Sequence, residues 1–340
     1  EMCIRDRTII RYMIRHRKSD EGPETIMDHR ETYIHQLFNA MMGQRLEELV
    51  QKGDPPFVVG VINYGDFERG YEALSAIVMP KPNQEDVGLT ALMTELERVK
   101  RYGFVQGELD RAKAEILTQW EKYYKERDKI HNEEYVNDYV NHYLEGDAYI
   151  SAETGYMYVQ GILPSITLDD FDQRLEAWVT EENQVLVIQG PEGEGVEHLS
   201  EAASLAIFEQ VAAAEIEPYE DEELAESLVS EELALAAITS TRELPEFDAV
   251  EWTLENGATV VFRHADYEKD QVQIRGYSKG GSSLYADDYV PTTDMLTSLV
   301  SFYGVGDFDA TGLQKMLTGK NVSLQLSLTS RSEGLNGTAS

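Results

Sequence analysis

Phe38-Asn-Ala-Met-Met-Gly-Gln-Arg-Leu-Glu-Glu-Leu49 is the central part of a run whose apolar side chains recur every three, four or seven residues. That spacing predicts a helix with one buried face. The apolar positions are Ile34, Leu37, Phe38, Met41, Met42, Leu46, Leu49 and Val50. Thr25, with Asp28 three residues later in capping-box spacing, predicts where the helix begins, and Gly53-Asp54-Pro55-Pro56 predicts its end.

Strand-like segments rich in β-branched residues lie on both sides of this helix. They are Ile9 to His16, Phe57 to Asn63, Tyr71 to Met79 and Gln184 to Gln189. Further helices are predicted from Asp86 to Tyr102, with Gly103 as a left-handed C-cap, from Gly107 to Leu144, and from Thr167. This order predicts an α+β domain over residues 8–190, in which an antiparallel-rich sheet has helices packed on one face.

The composition changes after Gly190. From Glu192 to Glu251 there are 18 acidic residues and one basic residue, Arg242. Such a stretch is typical of a linker, here assigned to residues 191–245, although some of it can be helical. Its apolar residues indicate that it lies against a surface; they are Leu199, Leu205, Ile207 and Phe208.

A second domain is predicted over residues 246–340. Asn256-Gly257 separates two short β-rich runs, which is a strong hairpin signal. A strand follows from Val272 to Tyr277, and Gly280-Gly281 predicts a bend. The remaining predicted elements are helices over Asp288 to Tyr303 and Thr311 to Leu317 and a strand over Val322 to Leu328. We expect this domain to be truncated at Ser340.

Charge and cysteine content exclude several classes of function. The net charge of −34 argues against nucleic acid as a partner, because phosphate binding needs a basic surface. No apolar run reaches the ~18 residues of a membrane span, so no membrane insertion is expected. The single cysteine, Cys3, excludes an internal disulfide and a Cys-based zinc site. Residues 1–7 include Met2-Cys-Ile-Arg-Asp-Arg7, which resembles a translated sequencing adapter; a genuine basic N-terminus is the alternative.

Several segments, in this order and spacing, resemble the non-catalytic domain of the insulinase/pitrilysin family of zinc metallopeptidases. They are Phe38 to Leu49 with Pro55-Pro56, Glu97-Arg-Val-Lys-Arg-Tyr-Gly-Phe104, Glu108-Leu-Asp-Arg-Ala-Lys113 and Leu163-Pro-Ser-Ile-Thr-Leu168. Leu254 to Phe262 and Gly304 to Lys315 resemble the start of the second half of bacterial two-half members. The resemblance implies that residues 246–340 are a truncated second copy of the half-domain fold.

The family's zinc motif, His-x-x-Glu-His, does not occur in this sequence. The equivalent helix of the second half, Thr292 to Ser301, contains neither His nor Glu, as expected of a degenerate second half. The resemblance therefore implies that the zinc ligands lie upstream of this chain. We assign no catalytic, cofactor-binding or metal-binding residue here.

Three weaker signals remain. His131, Asp138 and His142 recur on one predicted helix face and could bind a metal, although a solvated face is the more common explanation. An aromatic series could line a peptide-binding wall or, more commonly, pack against the sheet; it comprises Trp120, Tyr123, Tyr124, Tyr135, Tyr139 and Tyr143. The acidic segment could attract basic peptides or serve only as a tether.

The resemblance implies part of a zinc-dependent endopeptidase that cleaves peptides or unfolded proteins inside a closing two-half chamber. This chain would supply chamber wall and linker, pack against the missing catalytic domain, and be inactive alone. The alternatives are a non-catalytic scaffold or binding subunit of the same fold and an unrelated acidic binding module. Bacterial relatives of this layout suggest the periplasm or cell envelope.

Overall fold

A computed structural model describes residues 7–18, 26–145, 149–193, 197–222, 227–229, 233–267, 269–300 and 303–340. The chain forms two compact units, one of Glu1–Tyr124 and Ile130–Glu223 and one of Lys125–Lys129 and Leu224–Ser340. The predicted helix start at Thr25 and most of the adapter-like segment lie outside the described residues. No helix in the described ranges is long and apolar enough to cross a membrane. The domain boundaries drawn from the sequence stay a prediction.

The first unit is built around a four-stranded antiparallel sheet in the order β2-β3-β1-β4. Its strands are β1 (Ile9–Arg17), β2 (Phe57–Glu68), β3 (Tyr71–Pro80) and β4 (Gln184–Gln189). Its helices are α1 (Ile26–Val50), α2 (Glu85–Tyr102), α3 (Gln106–Lys125), α4 (Asn132–Glu145), α5 (Ala152–Ile162), α6 (Leu168–Trp178) and α7 (Glu201–Ala213). The predicted α+β class is confirmed.

The core lies between one face of this sheet and the helices. Ile10, Tyr12 and Ile14 of β1 are buried there, because alternate residues of a strand point to the same face. The apolar stripe of α1 that predicted this helix is buried against them, as at Leu37 and Phe38. Gly103 ends α2 with φ +65° and ψ −156°, a positive φ that favours glycine although it is not the left-handed helical geometry.

One predicted helix, Gly107 to Leu144, is wrong. The structure ends α3 at Lys125, forms a short 3-10 turn at Arg127–Lys129 and starts α4 at Asn132. Asp128 and Asn132 belong to the residue types whose side chains favour turns and helix starts over helix interiors. Helix α5 was not predicted; Ser151, whose hydroxyl accepts the Thr154 N–H at 3.1 Å, was the available signal.

The acidic segment contains helix α7, and its residues 197–222 belong to the first unit. Ile207, Val211 and Ile216 are buried. Arg101 of α2 donates to the Ala212 and Ala214 carbonyls near the end of α7, each at 2.7 Å. These carbonyls have no partner within the helix, so a cation at this end is favourable. Of the apolar residues that led to this expectation, Ile207 is buried and Leu199 and Phe208 pack against the core, whereas Leu205 is 56% exposed.

The described residues of the second unit form two three-stranded antiparallel sheets. One consists of β5 (Ile238–Leu244), β6 (Ala249–Leu254) and β7 (Thr259–Phe262). The other, in the order β8-β10-β9, consists of β8 (Val272–Lys279), β9 (Val322–Leu328) and β10 (Ser332–Ala339). Its helices are α8 (Val290–Leu299) and α9 (Ala310–Leu317). The predicted hairpin turn is present, with Gly257 at φ +86°.

Candidate functional site

The first sheet has one face covered by helices and one face without a covering helix among the described residues. On the second face, Val59 and Val61 of β2 and Val187 of β4 are 45%, 40% and 43% exposed. In β2 and β4 their neighbours in sequence, Ile62 and Ile188, belong to the core or pack against it. Antiparallel sheets commonly leave one face open, but that face is normally polar. An apolar open face is characteristic of a surface that contacts another chain.

The strand register places these side chains in rows across the sheet. Val61 pairs with Ile77, Ile77 with Arg11, and Arg11 with Val187. The next row in the same direction is Asn63, Ser75, Met13 and Val185. The open face is therefore a band of apolar side chains crossed by β1, which brings arginines onto it.

Two arginines give the open face a positive charge within a strongly acidic protein. Arg11 donates to Gln189 Oε1 at 3.0 Å, a neutral partner. Arg15 is exposed, and the part of the chain that the structure describes offers its side chain no hydrogen bond or ion pair. Apolar side chains with unneutralised guanidinium groups suit an extended polypeptide, whose carbonyls and carboxylates accept hydrogen bonds from arginine.

The described residues do not form the zinc site that the family implies. Among them there is no group of three or more His, Cys, Asp or Glu side chains placed to hold a metal ion. His131 precedes α4, Asp138 lines a cavity with His29, and His142 lies edge-on to Tyr149 with ring centroids 5.0 Å apart. The three residues of the predicted face are thus not brought together as a ligand set among the described residues.

The aromatic series divides between two environments. Trp120 and Tyr123 line the same cavity as Asp138, and Tyr124 stacks on Tyr156 with centroids 5.2 Å apart. On α4, Tyr135, Tyr139 and Tyr143 are 40%, 54% and 87% exposed. Packing against the sheet is therefore the wrong interpretation for these tyrosines, because α4 begins a separate helix beyond the break.

The Gly280-Gly281 pair forms the predicted bend. Gly281 has φ +77°, and a Cβ on it would collide with the Thr329 carbonyl. The following Ser282 donates its N–H to the same Thr329 carbonyl at 2.9 Å. These glycines serve a close approach of two backbones.

No family model matches the chain. It is 25% identical over 320 residues to a zinc protease PQQL-like protein of Arabidopsis thaliana, an alignment that covers 92% of this chain and 30% of that protein. Among solved structures, the periplasmic protease PqqL from Escherichia coli matches 98% of this chain and 37% of its own, with 20% identity and a TM-score of 0.56. Pitrilysin matches 98% of this chain and 34% of its own, with 12% identity and a TM-score of 0.52.

The resemblance to the insulinase/pitrilysin family is confirmed. The antiparallel sheet with helices on one face is the fold of these insulinase/pitrilysin-type neighbours. The chain spans about 30% of the length of the Arabidopsis relative. The open face lacked a sequence signal of its own, because alternation in a strand does not tell which face will be covered.

Proposed function

We propose that this chain is part of a zinc-dependent endopeptidase that cleaves polypeptides inside a closing two-half chamber. Residues 8–190 form the non-catalytic second domain of the first half, and residues 191–245 form the linker. Residues 246–340 form the degenerate first domain of the second half. The catalytic zinc ligands belong to a preceding domain, and the role of this chain is to build chamber wall and confine the substrate.

The observation that carries this proposal is the open face of the first sheet. An apolar sheet face with valines 40–45% exposed is unfavourable in contact with bulk water. A chamber wall resolves this, since the face then meets substrate segments or the opposite half instead of a permanent partner. Arg11 and Arg15 add hydrogen-bond donors that any polypeptide backbone can use, which suits a protease that accepts unfolded chains.

The docking of the acidic segment supports its role as a linker held at one end. Arg98 donates to the Glu217 carbonyl at 3.0 Å, and Arg111 forms a bidentate pair with Asp221 at 2.8 and 3.0 Å. These contacts hold the part of the segment up to Asp221 within the first unit. A fixed start and a long acidic continuation suit a tether between two halves that open and close.

We also propose a periplasmic or envelope location. The Escherichia coli neighbour is described as periplasmic, and the single cysteine places no redox demand on the compartment. Polypeptide, and not nucleic acid, is the expected partner, because of the net charge of −34.

The test compares this chain alone with the same chain joined to the sequence that precedes it in its gene. We expect the joined protein to hydrolyse an unfolded, fluorescently quenched polypeptide, a chelator to abolish that activity, and the chain alone to be inactive. In the joined protein, Val61→Glu should raise KM several-fold with little change in kcat, because it places a carboxylate in the apolar wall. Ala202→Glu on the exposed side of α7 adds the same charge away from the wall and should leave both constants unchanged.

Hydrolysis by the chain alone would contradict the proposal that the catalytic residues belong to a preceding domain. A joined protein that binds the polypeptide without chelator-sensitive hydrolysis would favour the scaffold. Equal effects of Val61→Glu and Ala202→Glu on KM would show that the substrate does not contact the open face.

A further inference from the structure

A cavity of about 500 Å³ lies among α1, α3 and α4 of the first unit, on the helical side of the sheet. Its aromatic lining consists of Tyr33, Trp120, Tyr123 and Tyr149, and Asp138 contributes a carboxylate. A cavity of this size falls within the range of ligand sites, roughly 300–1,000 Å³. It is open to solvent, so a group carried on a chain can enter it.

The aromatic wall is held in place by its own contacts. The Trp120 ring packs directly on Gly155 of α5, where a Cβ would collide with it. The Trp120 indole N–H donates a hydrogen bond to the hydroxyl oxygen of Tyr33, a buried residue. Trp120 also meets Tyr123 edge to face, with centroids 5.8 Å apart. These contacts orient the two rings before any ligand arrives, which lowers the entropic cost of binding.

The electrostatic character of the cavity is negative. The Asp138 carboxylate has no hydrogen bond or ion pair among the described residues. Burial raises the pKa of Tyr123, and the carboxylates of Asp138 and Glu134 raise it further. The residues that line the cavity in the described part of the chain include no Lys or Arg, and His29 is the single titratable base among them.

We propose that this cavity binds the cationic side chain of an arginine or lysine from a polypeptide. A guanidinium group can stack on the Trp120 and Tyr123 rings while it pairs with Asp138. The volume exceeds that of one side chain, and the amide of Asn141 lies in the lining to hydrogen-bond the attached backbone. This site stands apart from the open face of the sheet and does not depend on the proposed peptidase role.

The experiment is isothermal titration of the 340-residue chain with an acetylated alanine peptide that has arginine at its centre. The same peptide with citrulline is the neutral comparator, because citrulline keeps the shape and removes the charge. We expect the arginine peptide to bind and the citrulline peptide to bind at least several-fold more weakly. Asp138→Asn should weaken the arginine peptide roughly fivefold, the upper range for an exposed ion pair.

Two further variants separate binding from folding. Glu133→Gln removes a carboxylate of α4 that does not line the cavity and should leave affinity unchanged. Gly155→Ala must displace the Trp120 ring and should reduce binding even with Asp138 intact, with thermal unfolding used to confirm that the variant is folded. Equal binding of the two peptides, or unchanged affinity in Asp138→Asn, would overturn the proposal. Agmatine bound as tightly as the peptide would assign the cavity to a small cation and overturn the polypeptide part.

Discussion

Each unit contains a bidentate arginine–glutamate pair, one buried and the other exposed. In the first unit, Arg45 donates to the two carboxylate oxygens of Glu108 at 2.6 and 2.7 Å, and both side chains are 1% exposed. In the second unit, Arg242 donates to the two oxygens of Glu251 at 2.9 and 2.7 Å, with Arg242 64% exposed. The geometry is nearly identical, so the difference in burial decides what each pair contributes to stability.

The surroundings of Arg45 explain why a buried cation is tolerated. Glu95 supplies a further acceptor at 3.3 Å and the Gly103 carbonyl another at 3.1 Å. The guanidinium carbon also lies 4.2 Å from the centroid of the Tyr219 ring. Tyr219 belongs to the acidic segment, so this part of the segment helps to shield the charge from water. A buried charge satisfied in this way becomes costly only when one partner is removed.

The apolar strand residues of the two units also differ in their burial. In the first unit, alternate strand residues such as Leu74 and Val78 are fully buried under helices. In the second unit, Ile274 of β8 is 56% exposed and Leu324 of β9 is 63% exposed. Alternating apolar residues are present in both sheets. The comparison teaches that the covering layer, more than the strand pattern, determines how much each apolar residue stabilises its sheet.

The largest expected effect comes from removing the buried cation. Arg45→Met leaves the buried carboxylate of Glu108 without its cationic partner and leaves Glu95 paired with Arg98 alone. We expect the free energy of unfolding of the first unit to fall by about 3–5 kcal/mol. Urea denaturation followed by the fluorescence of the buried Trp178 measures it.

Arg242→Met in the exposed pair is the matched control for this change. It should leave the free energy of unfolding of the second unit nearly unchanged. The fluorescence of Trp252, which follows Glu251 in β6, reports this unfolding. Similar losses in the two variants would contradict the view that burial separates the pairs.

The second effect tests the covering layer. Leu92 of α2 is 1% exposed, and Leu92→Ala should destabilise the first unit by about 2–5 kcal/mol through lost burial and a cavity. Leu324→Ala removes the same atoms from the exposed strand β9 and should change stability by less than about 0.5 kcal/mol. The same denaturation curves measure both variants. A large loss in Leu324→Ala would show that its strand is covered in solution.

The comparison of the two units also shows which features could be predicted from the sequence alone. Local periodicity sufficed for β4, for the buried stripe of α2 and for the hairpin at Asn256-Gly257, because each depends on residues close in sequence. The break between α3 and α4 was not predicted because the helical spacing of apolar residues continues across it. The arginine pair escaped as well, since Arg45 and Glu108 meet only after the chain folds, and Arg is a residue type rarely fully buried. The cavity beside Trp120 is formed by three helices, so the sequence could indicate single lining residues such as Trp120, Tyr123 and Asp138 but not the cavity itself.

The last prediction concerns a pair of intermediate exposure, His198 and Glu85, whose expected effect lies between those of the Arg45 and Arg242 pairs. His198 Nδ1 lies 2.6 Å from Glu85 Oε1 and its Nε2 lies 3.0 Å from the Pro191 carbonyl, and the imidazole is 30% exposed. The hydrogen bond to Glu85, followed by that to the Pro191 carbonyl, raises the pKa of His198. Since the folded pKa is the higher one, the stabilisation is complete below the unfolded value of about 6.5 and is lost as pH rises through the folded value.

His198→Gln should therefore reduce the stability of the first unit by at most about 1 kcal/mol at acidic pH and by progressively less as the pH rises above neutrality. Thermal unfolding across this pH range measures the difference. Glu85→Gln removes the charged acceptor and should reduce this pH dependence, because the Pro191 carbonyl still accepts a hydrogen bond from His198. The double variant should therefore lose less stability than the sum of the two single losses. A difference that grows with pH would reverse the sign, and would mean that the acidic segment is held by neutral His198. The expected order, from Arg45 through His198 to Arg242, would make exposure to water the quantity that ranks ion pairs in this chain.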